Sequence, residues 1–251
     1  MTGTELPPVS YKHPPITESV IGINFSSTTK LTDIRTVSKK FHAHYPHQQI
    51  VSNFDVAVEM PINQVNKVAA NIHKNDGHRL STDDMTQLLV FWPSSFTFSQ
   101  LAPYPGWDIF FKRFVRDWGI WKRNIGHKEI SRIGVRYINR VDIPIMDSIT
   151  KYEEFLNVYP KLPESIDPLV GYAVQAASEL KDLGCLLKIN SAVVPSPILN
   201  HVSFVVDLDI SKEINPPQSD NDIYDLLNNI RLQKNIVFEA CITDRARELF
   251  Q

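Results

Sequence analysis

From residue 16 onward, apolar side chains recur first at every second position and then at every third or fourth. In Ile16–Phe25, Ile21, Ile23 and Phe25 share one face and Gly22 and Asn24 the other, the period of a half-buried strand. Leu31, Ile34, Val37, Phe41 and Tyr45 then step by three and four up to Pro46, which predicts an amphipathic helix with a proline stop. Residues 54–60 alternate again and end at Pro61. The stretch 61–84 reads less sharply: Ile62, Val65, Ala69 and Ile72 suit a short helix, and Asn75-Asp76-Gly77 a turn. Residues 87–92 and 96–101, separated by Pro93-Ser94-Ser95, predict a hairpin.

The strongest helical stripe follows. Trp107, Phe110, Phe111, Phe114, Trp118, Trp121 and Ile125 fall on one side of a helical wheel, bracketed by Pro105 and Gly126. A long alternating strand covers about 130–143, with Ile133, Val135, Tyr137 and Val141 on one face. Residues 149–160 predict a further helix stopped at Pro160. Three strands are expected near 169–179, 184–194 and 200–211, the first two joined through Lys181-Asp182-Leu183-Gly184. A terminal helix runs from near Asp220 to about 242, and Thr243 opens a last turn.

Both halves thus read strand, helix, three or four strands, helix. Phe41-x-x-x-Tyr45-Pro46 recurs as Phe155-x-x-x-Tyr159-Pro160, an offset of 114, and the same offset carries Ile16 onto Ile130 and Gly106 onto Asp220. The expected fold is α+β: two pseudo-repeated β-α-β(3–4)-α halves whose antiparallel sheet or sheets carry helices on one side. The halves are residues 16–127 and 128–251, as two units or one continuous domain, behind an extended lead-in over residues 1–15 that holds four prolines. This element order looks like the saddle of the TATA-binding protein; two ferredoxin-like halves side by side are the second arrangement.

Composition narrows the class. The chain has 251 residues, 43% apolar and 22% charged, with a formal net charge of −2, which excludes disorder as its dominant state. No apolar run approaches the about 18 residues of a membrane span. The first residues lack a basic-then-apolar leader pattern, and Cys185 and Cys241 are too few for a disulfide framework, so a reducing cytoplasm is the expected setting.

Charge is unevenly spread. Nine Lys and Arg between Lys112 and Arg140 face only Asp117 and Glu129, a local +7 that leaves −9 for the rest of a chain totalling −2. On the helix, Lys112, Arg116 and Arg123 lie opposite the aromatic stripe with Arg113 beside them. On the strand, Arg132, Arg136 and Arg140 share a face at intervals of about 13 Å. This surface predicts an anionic partner, nucleic acid first. The competing expectation pairs the strand arginines with carboxylates such as Glu18 or Asp142. Ile109 and Ile120 fall inside the basic arc, which predicts an interface with a partner or a second subunit.

Catalytic signatures are absent: there is no G-x-S-x-G, P-loop, G-x-G-x-x-G or H-E-x-x-H. Helical geometry points His42 and His44 of the H-x-H-x-x-H run (His42, His44, His47) apart, so no metal and no cofactor is expected. Cys185 and Cys241 fit core positions, and Glu153-Glu154 and Asp83-Asp84 ordinary surface charge. The expectation is a binding protein. Its rivals are an enzyme acting on a small anionic substrate in a pocket near Glu18 and Arg136, and an oligomeric assembly module.

Five segments taken together carry a resemblance. They are Pro14-Pro15-Ile16-x-Glu18-x-Val20, Phe41-x-x-x-Tyr45-Pro46, Pro103-Tyr104-x-Gly106-Trp107, Arg132-Ile133-Gly134-Val135-Arg136-Tyr137-Ile138-Asn139-Arg140 and Phe238-x-x-x-Ile242-Thr243. This combination resembles a sporadically distributed, uncharacterised family of prokaryotic proteins of about this length. The resemblance is densest over 132–140 and faint over 160–220. It implies neither a catalytic residue nor a cofactor. It does imply an accessory gene, of the mobile or defence-associated kind.

Overall fold

The structure is a computed structural model of the chain and describes residues 11–59, 69–145, 151–166 and 169–251. Two alternating segments, β1 (Ile16–Phe25) and β6 (Ile130–Pro144), pair antiparallel at the centre of one nine-stranded sheet. Outward from β1 lie β5 (Ser95–Leu101), β4 (Gln87–Trp92), β3 (Ala69–Ser81) and, at the edge, β2 (His47–Glu59). Outward from β6 lie β9 (His201–Lys212), β8 (Cys185–Val194) and, at the other edge, β7 (Ala173–Leu180). All neighbours are antiparallel, so the architecture is the α+β class expected, with a single sheet.

The helices are α1 (Leu31–Ser38), which tightens into a 3-10 turn over Lys39–Phe41, α2 (Trp107–Ile125), α3 (Asp220–Cys241) and α4 (Asp244–Glu248). All four bury their apolar stripes against the same sheet face. Ile34 and Val37 of α1, the α2 aromatics and Ile223, Leu227 and Ile230 of α3 meet Ile21, Ile23, Phe96, Phe98, Ile133 and Val135 in one cluster. Ala246 of α4 and Phe238 of α3 meet Val141, Ile143, Phe204 and Val206 in a second. Strand alternation then sends every other residue of these strands to the far side, where no described element covers them.

The helix α2 is set by its ends as much as by its stripe. Gly106 and Gly126 flank it at φ +94 and +89, values that side chains with a Cβ rarely adopt. Between them Phe25 stacks on Trp118 and Trp121, and Phe96 touches Phe91, Phe114, Trp118 and Trp121. Each such ring contributes roughly 1.5–3 kcal/mol on burial.

Two expected elements take another form. Asn75-Asp76-Gly77 is not a turn but the middle of β3, paired with Val51–Asn53. Its glycine serves a close approach: a Cβ on Gly77 would stand 2.6 Å from the Trp92 ring. Ala69 and Ile72 of the expected short helix lie in the same strand, while Ile62 and Val65 lie outside the described residues. The expected helix over 149–160 is, where described, a 3-10 turn at Tyr152–Glu154 followed by irregular chain. Its apolar period is still used, because Tyr152, Phe155 and Leu156 enter the second cluster. Its backbone, though, is bonded to the end of α3: Asn157 N–H donates to Cys241 O, and Phe155 O accepts from Thr243 N–H. Asn157 Nδ2 also donates to Ala240 O and Ile242 O, capping α3.

Among the described residues no helix is long and apolar enough to cross a membrane. The packing yields a direct expectation. Phe96→Ala, which empties the junction of four rings, should cost about 3–5 kcal/mol in urea unfolding, and a cost below about 1 kcal/mol contradicts this core.

Candidate functional site

On β6, even-numbered residues face away from the helices, so Arg132, Arg136 and Arg140 stand together on the uncovered side. Each meets a carboxylate. Arg132 Nη2 lies 2.8 Å from Asp209 Oδ2, with Glu213 at 3.3 Å from its Nε. Arg136 donates from Nε and Nη2 to the two oxygens of Asp207 at 2.8 and 2.7 Å. Arg140 Nε lies 3.0 Å from Asp142, which also accepts from Ser203 Oγ. Asp207 accepts in turn from Asn190 Nδ2, and Asn190 Oδ1 accepts from Gln175. A polar row thus crosses β6, β9, β8 and β7.

The row is asymmetric in exposure. The Arg136 side chain is 49% exposed above an Asp207 side chain that is 6% exposed, and Arg136 Nη1 has no partner among the described residues. The Asp207 hydrogen bonds hold the guanidinium above its ordinary basicity, against the opposing cost of desolvation. Glu18 lies on the same face but acts on Arg136 only through space, so the ion-pair partner is Asp207 rather than Glu18. Register explains this: Arg136 sits opposite Val20 on β1 and Asp209 on β9, one diagonal step from Asp207.

The helix cations lie on the other side of the sheet, so the basic stretch 112–140 is divided between two surfaces. Lys112 and Arg123 are exposed and make no ion pair among the described residues. Arg116 Nε is 2.7 Å from the buried Asp117, which also accepts from Tyr45 Oη at 2.5 Å. Lys122 bonds Asp220 at 2.7 Å and ties α2 to the start of α3. Arg113 departs from the expected surface role. It is 8% exposed, lies 4.3 Å over the Phe98 ring and donates from Nη2 to Ser99 O. Positions 113 and 117 flank the aromatic stripe closely enough to be drawn under it. Ile109 is 62% exposed, whereas Ile120 is half-buried against the core.

His42, His44 and the loop Thr82–Asp84 line an open pocket of about 520 Å³. Its two carboxylates are already engaged: Asp83 pairs with His47 at 3.0 Å, and Asp84 accepts from Thr82 and Thr86. Hydrogen bonds from Thr82 and Thr86 hold the Asp84 carboxyl below its usual range. Among the described residues no group of three or more His, Cys, Asp or Glu is arranged to hold a metal.

The cluster that sequence reasoning overlooked is on the helix side of β6. Lys234 of α3 is 7% exposed, and its Nζ lies 4.0 Å over the ring of Tyr137. Tyr137 Oη is 2.9 Å from Tyr104 Oη. Beside them Trp107 Nε1 donates to Asn228, joining α2 to α3. Burial first, and then the charge of Arg231, pushes the Lys234 ammonium down to about 8. Glu239 acts the other way, but its oxygens are held by Tyr11 and Arg247. Burial pushes Tyr104 up to about 12 and Tyr137 well above the ordinary phenol range. The available signal was a lysine in apolar register: Ile223, Leu227, Ile230, Lys234 and Phe238 form the buried stripe of α3.

Compared with models of known protein families and with curated proteins, the chain matches none.

Two expectations follow. Arg136→Met leaves a buried carboxylate behind and should cost about 2 kcal/mol in urea unfolding, while Asp207→Asn, which frees a guanidinium able to reach water, should cost clearly less. Equal costs contradict the asymmetry. Lys234 has a folded value near 8 against 10.5 when unfolded, so between those values the unfolded chain binds more protons. Stability should therefore rise with pH across that window, and below pH 8 the burial penalty is fully present. Lys234→Met should be more stable than the parent by roughly 1–3 kcal/mol at pH 7, with the gap closing toward pH 10. A pH-independent gap contradicts this.

Proposed function

We propose that the protein is a non-catalytic binding protein that works through the open face of its sheet, and that its partner is anionic, nucleic acid in the first place. One observation carries the reading. The described helices all cover one sheet face, while the other presents Arg136 above buried Asp207 with an N–H group to spare. Nine strands give that face a width of roughly 40 Å. The three guanidiniums repeat every about 13 Å along β6, and Trp92 lies on the same side over Gly77, a platform suited to base stacking. Because each arginine shares a carboxylate, recognition rests on directed hydrogen bonds more than on bare charge, and the salt dependence is correspondingly shallow.

The proposal extends to the organisation of the chain. Residues 16–127 and 128–251 are two copies of one unit meeting at β1 and β6. Strand order outward from that pair supports this, running β5-β4-β3-β2 on one side and β9-β8-β7 on the other. So do the matching helices, α2 from Trp107 and α3 from Asp220. A cytoplasmic, accessory role accords with the family resemblance and with two buried free thiols.

Fluorescence anisotropy with labelled single-stranded and duplex oligonucleotides at about 50 mM salt tests the reading. Arg136→Gln and Arg140→Gln should weaken binding about 5–10-fold, while Lys112→Gln and Arg123→Gln leave it unchanged. Absence of binding, or a loss confined to the helix variants, overturns it.

A further inference from the structure

The helix side of β6 carries an arrangement that the open-face reading does not use. Lys234 is buried, and Arg231, one turn earlier on the same helix, is near enough to disfavour its charge. Among the described residues neither has a carboxylate within ion-pair distance or a hydrogen-bond acceptor. Among the described residues the buried carboxylates are matched, Asp117 by Arg116 and Tyr45 and Asp207 by Arg136 and Asn190. The other buried cation, Arg113, has at least the carbonyl of Ser99 and the rings of Phe98 and Phe110. The carboxylates nearest the cluster do not fill the gap. Glu239 is committed to Tyr11 and Arg247, and Asp108, close enough to act on Tyr104, makes no ion pair with Arg231. An unpaired ammonium buried beside a second cation is costly, and the usual remedy is an anion.

We infer that Lys234, Arg231 and the hydroxyls of Tyr104 and Tyr137 form a binding site for a small oxyanion, a carboxylate or a phosphate, between the start of α2 and the middle of α3. The chemistry is complementary. An ammonium and a guanidinium supply charge and donors. In the Tyr104–Tyr137 pair one hydroxyl donates to the other, so one O–H remains to donate onward. The Trp107–Asn228 bond fixes the two helices around the site, and Tyr137 underlies the lysine as a rigid floor. The site also unites two segments singled out in the sequence, Pro103–Trp107 through Tyr104 and Arg132–Arg140 through Tyr137. The inference is independent of the open-face reading, since Arg136 and Tyr137 point to opposite sides of β6.

The test is thermal unfolding of the full chain at pH 7 in sodium phosphate and in sodium malonate, each against sodium chloride at equal ionic strength. At least one anion should raise the parent's melting temperature by about 2–4 °C, and the one that does identifies the ligand class. Lys234→Met and Arg231→Gln should abolish that rise, and Lys112→Met, on the exposed face of α2, should keep it. Arg231 is only half-buried, so its variant remains informative even where Lys234→Met fails to fold. No rise over chloride with either anion, or a full rise retained in Arg231→Gln, overturns the site.

Discussion

The antiparallel pairing of β1 with β6 is the constraint on which the rest depends. Its alternation commits Ile21, Ile23, Val135 and Tyr137 to one face and Val20, Arg132 and Arg136 to the other. A slip of one residue would turn the aromatic floor outward and the arginines inward. Once the register is set, α2 and α3 must lie on the apolar side, and the second side is left for polar chemistry. The two candidate sites follow from this one strand, because Arg136 and Tyr137 are neighbours in sequence and project to opposite surfaces.

Charge in this molecule is organised by pairing rather than by patches. The run from Lys112 to Arg140 holds a formal +7 in the sequence, yet the fold sends its helical part to one side of the sheet and its strand part to the other. Asp207, Asp209 and Asp142 then neutralise the strand part locally. Asp207 and Asp209 are remote in sequence and reach their arginines through the β6–β9 register, whereas Asp142 lies two residues from Arg140 on the same face of β6. What distinguishes Arg136 is its exposure above a buried partner, so that a guanidinium rather than a carboxylate faces the solvent.

Most of the architecture was legible in the sequence because it rests on periodicity. The hairpin of β4 and β5, the aromatic helix α2, the long strand β6 and the terminal helix α3 all follow from apolar spacing and punctuating Gly or Pro. The failures have local causes. Gly77 resembles a turn residue until Trp92 is seen to occupy the space of its missing side chain. Residues 152–158 have a helical apolar period but close only one turn, with Phe155 and Leu156 N–H donating to Tyr152 O, before the chain bonds to the end of α3. The sites were less legible. Arg113 reads in the sequence as a surface cation, because nothing local marks a guanidinium that folds over Phe98. Lys234 is not legible in the sequence, because a lone lysine in an apolar stripe becomes informative only when Tyr137 and Arg231 surround it.

The central claim is that the open face, and not the helix layer, meets the partner. Phenylglyoxal modification of arginines, read by peptide mass spectrometry with and without a bound single-stranded oligonucleotide, tests it most directly. The account predicts that Arg136 and Arg140 are modified in the free protein and protected in the complex, while Arg123 is modified equally in both. Protection of Arg123 with Arg136 still reactive would contradict it.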